Sequence, residues 1–280
     1  MNEKPQYKIG LALAGGGARG FAHLGVLRAL EEFGIKPDLI SGTSAGSLAG
    51  AFYADGYSPK EIIELFDDVK FRELVTTAIP RNGFFKMNGL GDFLAKHLRA
   101  KTFEELKTPL RVMVSDIEKG EKVLFDQGEL IPPILASCAF PIMFEPIKIG
   151  ERHFVDGGLF ENLPATAIRK DCSYVIGVNV SPLCPLKYER SFKYVVERSL
   201  HYLMVSNSLV DRELCDYLIE SVDIGSYPLF DMSKSHEVYE LGYTVASTYL
   251  KKNKARIENE LFAPPKQESI LLRILKLFVN

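Results

Sequence analysis

Twice within its first fifty residues the chain passes from an apolar strand through a glycine-rich turn into a helix. No other feature constrains the fold as tightly. Tyr7 to Ala14 (YKIGLALA) reads as a buried strand that empties into Gly15-Gly16-Gly17-Ala18-Arg19-Gly20. Phe21, Leu24, Leu27 and Leu30 then recur at helical spacing as far as Phe33. The short apolar run Asp38 to Ile40 leads into Ser41-Gly42-Thr43-Ser44-Ala45-Gly46 and a second helix of small residues. Two strand-to-helix turns this close in sequence bring both turns to the same edge of a sheet, where α/β proteins bind their ligands.

The second turn spells G-x-S-x-G, the nucleophile elbow, in which flanking glycines let the backbone bend sharply and leave a serine hydroxyl exposed. Ser44 is therefore the candidate nucleophile. The first turn satisfies G-x-G-x-x-G, so a dinucleotide site is the rival reading. That rival needs an acid at the far end of the second strand to hold ribose hydroxyls. Here Asp38 begins the strand and the Ser44 elbow ends it. The other use of such a loop is an oxyanion hole: consecutive glycines at a helix N-terminus let backbone N–H groups approach an anion. On that reading Gly15, Gly16, Gly17, Ala18, Arg19 and Gly20 form the hole, beside the nucleophile. Arg19 itself reads as a solvated loop arginine paired with a surface acid, the alternative being a cation held near a phosphate.

Composition narrows the choice further. The 280 residues are 46% hydrophobic and 25% charged, enough for a sizeable core, and the net charge of −2 gives no global field for nucleic acid. Cys138, Cys172, Cys184 and Cys215 lie far apart without a C-x-x-C pair, so reduced, mostly buried thiols are expected rather than a zinc site or disulfide framework. The polar start Met1 to Tyr7 runs directly into a strand, and no run of about 18 apolar residues follows, so a cytoplasmic location is the expectation.

Further on, Ser58-Pro59-Lys60-Glu61 is a capping box that predicts a helix from Pro59 to about Lys70. Phe71 to Asn88 has no period and reads as a loop near a pocket, either a mobile lid or, as is commoner for such loops, a plain connection. Gly91 to Ala100 reads as a helix. Leu110 to Ile117 and Glu121 to Phe125 read as strands of an antiparallel hairpin. The block Ala136 to Pro146 reads as an apolar crossover from a helix to a new strand. Arg152 to Val155 is a short strand ending at Asp156-Gly157-Gly158, where the glycines let the chain turn beneath an aspartate that points into a cleft. Asp156 is the candidate base; the structural alternative is a cap for a helix starting near Leu163. Asp116, which also closes a strand, is the rival base. Among the five histidines none lies in a catalytic motif, and His153 shows the strand face opposite to Asp156. A Ser-Asp dyad is favoured over a triad.

With these residues in hand, the chain resembles the patatin-like phospholipases. Their G-G-G-x-R-G loop matches Gly15 to Gly20, G-x-S-x-G matches Gly42 to Gly46, and D-G-G matches Asp156 to Gly158. A fourth block, A-S-x-A-x-P-x-x-F-x-P, matches Ala136 to Pro146, and a weaker one matches Asp116 to Gly128. The resemblance implies a three-layer α/β/α sandwich with a mostly parallel sheet. It also implies a serine acyl hydrolase that cleaves phospholipid or lysophospholipid esters through Ser44 and Asp156, with no metal or cofactor. A thioesterase or neutral-lipid esterase would use the same dyad, and a regulatory or scaffolding protein would keep the fold with little turnover.

A carboxylate of ordinary pKa near 3.9 is a weak base, so Asp156 is expected in a desolvated cleft that raises it. Residues 6–262 are expected to form one unit, motif-matched over about 8–180 with a helical remainder over 181–262. Within that remainder Ser191 to Glu220 and His236 to Glu260 read as long helices. The tail 263–280 follows, and Ser269 to Asn280 reads as a basic amphipathic helix that lies on a bilayer or packs on the domain or a second copy.

Overall fold

The computed structural model describes residues 5–77 and 83–262. β1 (Tyr7–Leu13) is buried on both faces from Ile9 onward, as its unbroken apolar run requires of a central parallel strand. A 3-10 turn, Gly17–Gly20, leads into α1 (Phe21–Glu32). β2 (Leu39–Thr43) follows, then α2 (Ala45–Ala54). α3 (Pro59–Leu65) begins at the predicted capping box, where Ser58 Oγ accepts from the Glu61 N–H at 3.2 Å and Glu61 Oε2 accepts from the Ser58 N–H at 2.7 Å. It ends sooner than its pattern suggested.

Next come α4 (Phe71–Leu74), the two-stranded ribbon β3 (Thr76–Thr77) and β4 (Phe85–Lys86), and α5 (Asn88–His97). The expected loop over 71–88 is thus partly regular, with 78–82 outside the described residues. β5 (Leu110–Asp116) and β6 (Glu121–Phe125) form the expected hairpin. α6 (Ile131–Ser137), β7 (Ile147–Ile149) and β8 (Arg152–Asp156) follow. α7 (Thr166–Arg169) and β9 (Cys172–Asn179) complete the first two thirds.

Ser191 to Glu220 is not one helix. α8 (Phe192–Asn207) and α9 (Leu209–Glu213) are succeeded by β10 (Tyr217–Glu220), which pairs in parallel with β9. A four-residue apolar run has too little length for its period to tell helix from strand, and the open edge of β9 decides the matter. After α10 (Val222–Gly225), α11 (Ser235–Lys252) and α12 (Lys254–Ile257) occupy the second expected helical stretch, broken at Asn253. The tail 263–280, with its amphipathic segment 269–280, lies outside the described residues.

The strands form one sheet in the order β10-β9-β1-β2-β5-β8-β7, with β6 also on β5. β10, β9, β1, β2 and β5 are mutually parallel; β6, β8 and β7 are antiparallel additions. The larger core, including Leu11, Leu13, Leu27, Ile40 and Phe52, lies on the face covered by α1 and α2. A smaller one, built on Ala12, Leu39, Leu163, Ile168 and Val175, lies beneath α7 on the other. Asp38 sits at the opposite end of β2 from the elbow, accepting the Lys8 and Ile9 amides on Oδ2 at 3.1 and 2.9 Å. It is a structural staple and not a ribose ligand. All four cysteines are free thiols, and three of them are buried. No helix among the described residues is long and apolar enough to cross a membrane.

α11 packs closely across α1. A Cβ on Gly25 would stand 2.0 Å from the Tyr239 carbonyl oxygen, and one on Gly242 would stand 2.2 Å from that of Ala22. Gly25→Ala is therefore expected to lower the free energy of unfolding by about 2–3 kcal/mol, since only backbone could give way. Gly91→Ala, whose new methyl would meet only Leu135 Cδ1 at 3.5 Å on α5, should raise it by about 0.5–1 kcal/mol. Equilibrium urea unfolding of both variants checks the pair.

Candidate active site

Register alone brings two ends of the sheet together. β6 pairs with Val112 to Asp116 along one edge of β5. On the other edge β2 rises until Thr43 pairs with Met113, and β8 descends until Asp156 pairs with Val114. The two strands thus meet end to end, and Ser44, next after Thr43, arrives beside Asp156.

Ser44 occupies φ 51°, ψ −123°, a region that a side chain enters at a cost of about 1–3 kcal/mol. Its neighbours hold it there. A Cβ on Gly46 would stand 2.1 Å from the Leu13 carbonyl oxygen, and one on Gly42 would stand 2.6 Å from that of Gly46. The Ser44 N–H donates to Ser137 Oγ at 2.7 Å, and the Ser137 hydroxyl donates in turn to the Met113 carbonyl at 2.7 Å. Sequence reasoning gave Ser137 no role of its own; its signal was the fixed serine of the A-S-x-A-x-P block that matches Ala136 to Pro146.

Asp156 is 1% exposed. Its Oδ1 accepts from the Gly158 N–H at 2.8 Å, capping the 3-10 turn Gly157–Leu159. It does not cap a helix near Leu163, because α7 starts at Thr166. Desolvation pushes its pKa up to about 7, against the lowering effects of the Gly158 N–H and the Ser44 hydroxyl. Oδ2 makes no hydrogen bond of ordinary geometry, so the contact with Ser44 is an open one, as catalytic pairs without substrate often are. Asp116 is as buried but differs in its partners. Burial raises its pKa, but bonds from the Lys119 N–H, Arg152 and the Glu118 N–H outweigh this and hold it below the ordinary value. It is a structural acid of the β5–β6 hairpin.

The glycine loop passes directly over Ser44: a Cβ on Gly15 would lie 3.2 Å from Ser44 Cβ and 2.5 Å from Asn162 Oδ1. Several of its amides are already engaged. Gly15 N–H donates to Asn162 O, Ala18 N–H to Leu229 O and Arg19 N–H to Gly16 O. Among the described residues, Gly16 and Gly17 N–H make no such bond. Gly17 has φ 55°, and a Cβ there would stand 2.2 Å from Leu229 O. Asn162 and Asn207, both unremarked in the sequence, tie this loop to the turn after Asp156: Asn207 accepts the Asn162 N–H and donates to the carbonyls of Gly158 and Leu159.

Arg19 is not a solvated loop residue. It is 3% exposed, donating from Nε to Tyr227 O at 2.7 Å and from Nη1 to Ser181 Oγ at 3.5 Å, and burial lowers its pKa to about 10. The reason is tertiary: residues 181 and 227, far along the chain, close over it.

Among the described residues no histidine completes a triad. His23 is buried and bonds from Nε2 to Ala14 O at 2.8 Å, with its pKa lowered to about 4 by desolvation. His201 lines the cavity, where desolvation and then Arg19 lower its pKa to about 4; its two ring nitrogens face Ser181 O and Arg198. His153 lies on the surface against Glu118.

Ser44, Asp156 and the glycine loop open onto a cavity of about 1260 Å3, open mouth included. Its walls are largely apolar, with several phenylalanines among them, including Phe52, Phe66, Phe140, Phe144 and Phe230. The segment 71–88 contributes Phe71, Leu74, Val75 and Met87, so it does border a pocket. Cys138 also lines the cavity, its thiol pushed up by burial and by Asp156 and therefore kept protonated.

A family model described as patatin-like phospholipase matches residues 11–168. The uncharacterised protein YqhO of Bacillus subtilis (strain 168) is 32% identical over 203 residues, covering 60% of this chain and 70% of that protein. An uncharacterised NTE family protein of Mycobacterium tuberculosis is 32% identical over 173 residues, covering 58% of this chain and 28% of its own length. The lysophospholipase NTE1 of Kluyveromyces lactis is 27% identical over 277 residues, covering 86% of this chain and 19% of its own length. The chain thus spans most of the Bacillus protein but under a third of the other two. Among solved structures, VipD from Legionella pneumophila shares the fold, with a TM-score of 0.51 over 89% of this chain and 67% of that one at 17% identity.

The buried carboxyl has a consequence for stability. Its folded pKa of about 7 stands above the 3.8 of an ordinary aspartate, so the folded state binds the extra proton and wild type loses stability as pH rises from about 4 to about 7. Asp156→Asn, which cannot ionise, should gain on wild type across that window, by on the order of 4 kcal/mol at the plateau. Thermal unfolding of both proteins from pH 4 to 9 checks the sign and the window.

Proposed function

Because the chain belongs to the patatin-like phospholipase family, we propose that it is a lipid acyl-ester hydrolase with Ser44 as nucleophile and Asp156 as its base. The observation that carries this reading is the pair itself: a strained, half-buried serine facing the cavity beside a buried carboxyl whose pKa lies near neutrality. A base serves best when its pKa matches the working pH.

In this scheme Asp156 Oδ2 takes the Ser44 hydroxyl proton as Oγ attacks the ester carbonyl. The oxyanion of the tetrahedral intermediate is met by the free amides of Gly16 and Gly17. As the intermediate collapses, Asp156 returns its proton to the departing alcohol, leaving an acyl group on Ser44. Water then attacks the acyl carbonyl with Asp156 again as base, releasing the fatty acid. The Ser137 bridge fixes the Ser44 amide and so acts as a positioning contact.

The apolar cavity suits an acyl chain and offers little to a polar leaving group, which would remain toward solvent. Phospholipids and lysophospholipids fit this division, and one relative is a lysophospholipase by name.

A fluorophosphonate probe followed by mass spectrometry tests the reading. Wild type is expected to carry the adduct on Ser44, Ser44→Ala none and Asp156→Asn much less, with Asp156→Asn lowering turnover by about 10²–10⁴-fold on a phospholipid or lysophospholipid panel. Because the base must be ionised, kcat/KM should rise with pH and level off above about 7. Folded wild type without adduct or turnover would replace this reading with a regulatory, ligand-holding one.

A further inference from the structure

α8 is amphipathic with its faces reversed. Arg198, His201, Met204 and Val205 are buried beneath it, while Phe192, Val195, Ser199, Tyr202, Leu203 and Ser206 face outward. The spacing of that outer set, three or four residues at each step apart from the adjacent pair Tyr202 and Leu203, makes it a single stripe. Leu209 and Val210 prolong it on α9. Phe192 is 87% exposed, Leu203 61% and Val210 64%, and no position on the stripe is charged. A soluble helix exposing this much contiguous apolar surface marks an interaction site.

We infer that the outer face of α8 and α9 is a lipid-docking surface that seats the mouth of the acyl cavity on a bilayer. The inference rests on the hydrolase reading, and three observations select lipid over another protein as the occupant. First, successive residues of one turn face both compartments: His201 and Met204 line the cavity while Tyr202 and Leu203 point outward, so a bilayer under the stripe abuts the cavity wall. Second, the polar groups of the stripe are largely satisfied within the helix. The Tyr202 hydroxyl accepts from Arg198 Nη2 at 2.7 Å, and Ser206 Oγ donates to Leu203 O at 2.8 Å. A protein partner usually supplies a hydrogen-bonded rim, whereas acyl chains ask for none. Third, exposed Leu186, Lys187, Tyr188, Glu189 and Arg190 flank the start of α8, two basic residues against one acid. Aromatic and basic side chains beside an apolar face suit the headgroup layer of an anionic membrane.

The test uses the full chain with Ser44→Ala, so that vesicles survive, and sedimentation with 3:1 phosphatidylcholine–phosphatidylglycerol vesicles. Adding Phe192→Glu and Leu203→Glu should lower the partition coefficient by about tenfold or more. Ser199→Leu with Ser206→Leu should raise it several-fold, a gain that damage to the fold does not produce. With Ser44 intact, the glutamate pair should lose vesicle hydrolysis to a similar degree while the rate on a water-soluble short-chain ester stays within about twofold.

Unchanged partition in the glutamate pair overturns the inference. So does vesicle binding that depends only on residues 264–280, and so does a dimer that dissociates in the glutamate pair while vesicle binding persists, since the tail or a second copy would then be the occupant. Stripe-dependent binding by a chain that hydrolyses neither ester would sustain the docking surface and defeat the hydrolase reading, so the two fail separately.

Discussion

Everything at the site depends on how β5 shares one of its edges. β2 takes the lower half and β8 the upper, running in opposite directions, so the only place their ends can go is toward each other. Hydrogen-bond register is discrete, and a slip by one residue would turn every side chain of a strand to the other face. The meeting of Ser44 and Asp156 is therefore as precise as the sheet and requires no long flexible segment to achieve it. Hydroxyls on β2 reinforce the junction: Ser41 donates to Pro164 O at 2.7 Å and Thr43 to Glu161 O at 2.9 Å, anchoring the chain that follows Asp156 to the strand that precedes Ser44.

That junction holds two groups that each oppose folding, a serine in a sparsely populated backbone region and a carboxyl removed from water without a full set of partners. Strain and desolvation of this kind persist only where the surroundings over-determine them. Here the surroundings are backbone carbonyls packed against glycines, the Ser137 bridge and the Asn162–Asn207 tie. None of these groups is placed to react. Their contribution is to remove the alternative conformations into which the elbow would otherwise relax, which is the usual exchange of stability for activity at such sites.

Legibility in the sequence followed the range of the interactions. The capping box at Ser58 and Glu61, the elbow at Gly42 to Gly46 and the turn at Asp156 to Gly158 are each fixed by residues within a few positions, and each was readable. Arg19 was misread because its partners are at Ser181 and Tyr227, and an isolated loop arginine gives no sign of being covered. β10 was absorbed into a helix because Tyr217 to Glu220 is defined by the edge of β9, not by its own period. For α8 the helix was legible in sequence, but which face turned inward was not: Arg198 and His201 lie inside, against their usual preference, where Arg198 meets the carbonyl of Cys184 and His201 that of Ser181, partners distant in sequence.

The family pattern ends at residue 168, yet the sheet does not. β9 and β10 are added afterward, on the side of β1 away from β2, so the strand that opens the chain becomes central only through residues that come after the recognisable motifs. Without them β1 would be an outer strand, straight, apolar and with a full row of unpaired amides and carbonyls, the kind of border along which chains join one another into aggregates. The part of the molecule beyond the family pattern thus serves as the guard of its most recognisable strand. Divergence there is free to change the surface that meets the outside world, provided it continues to seal that border.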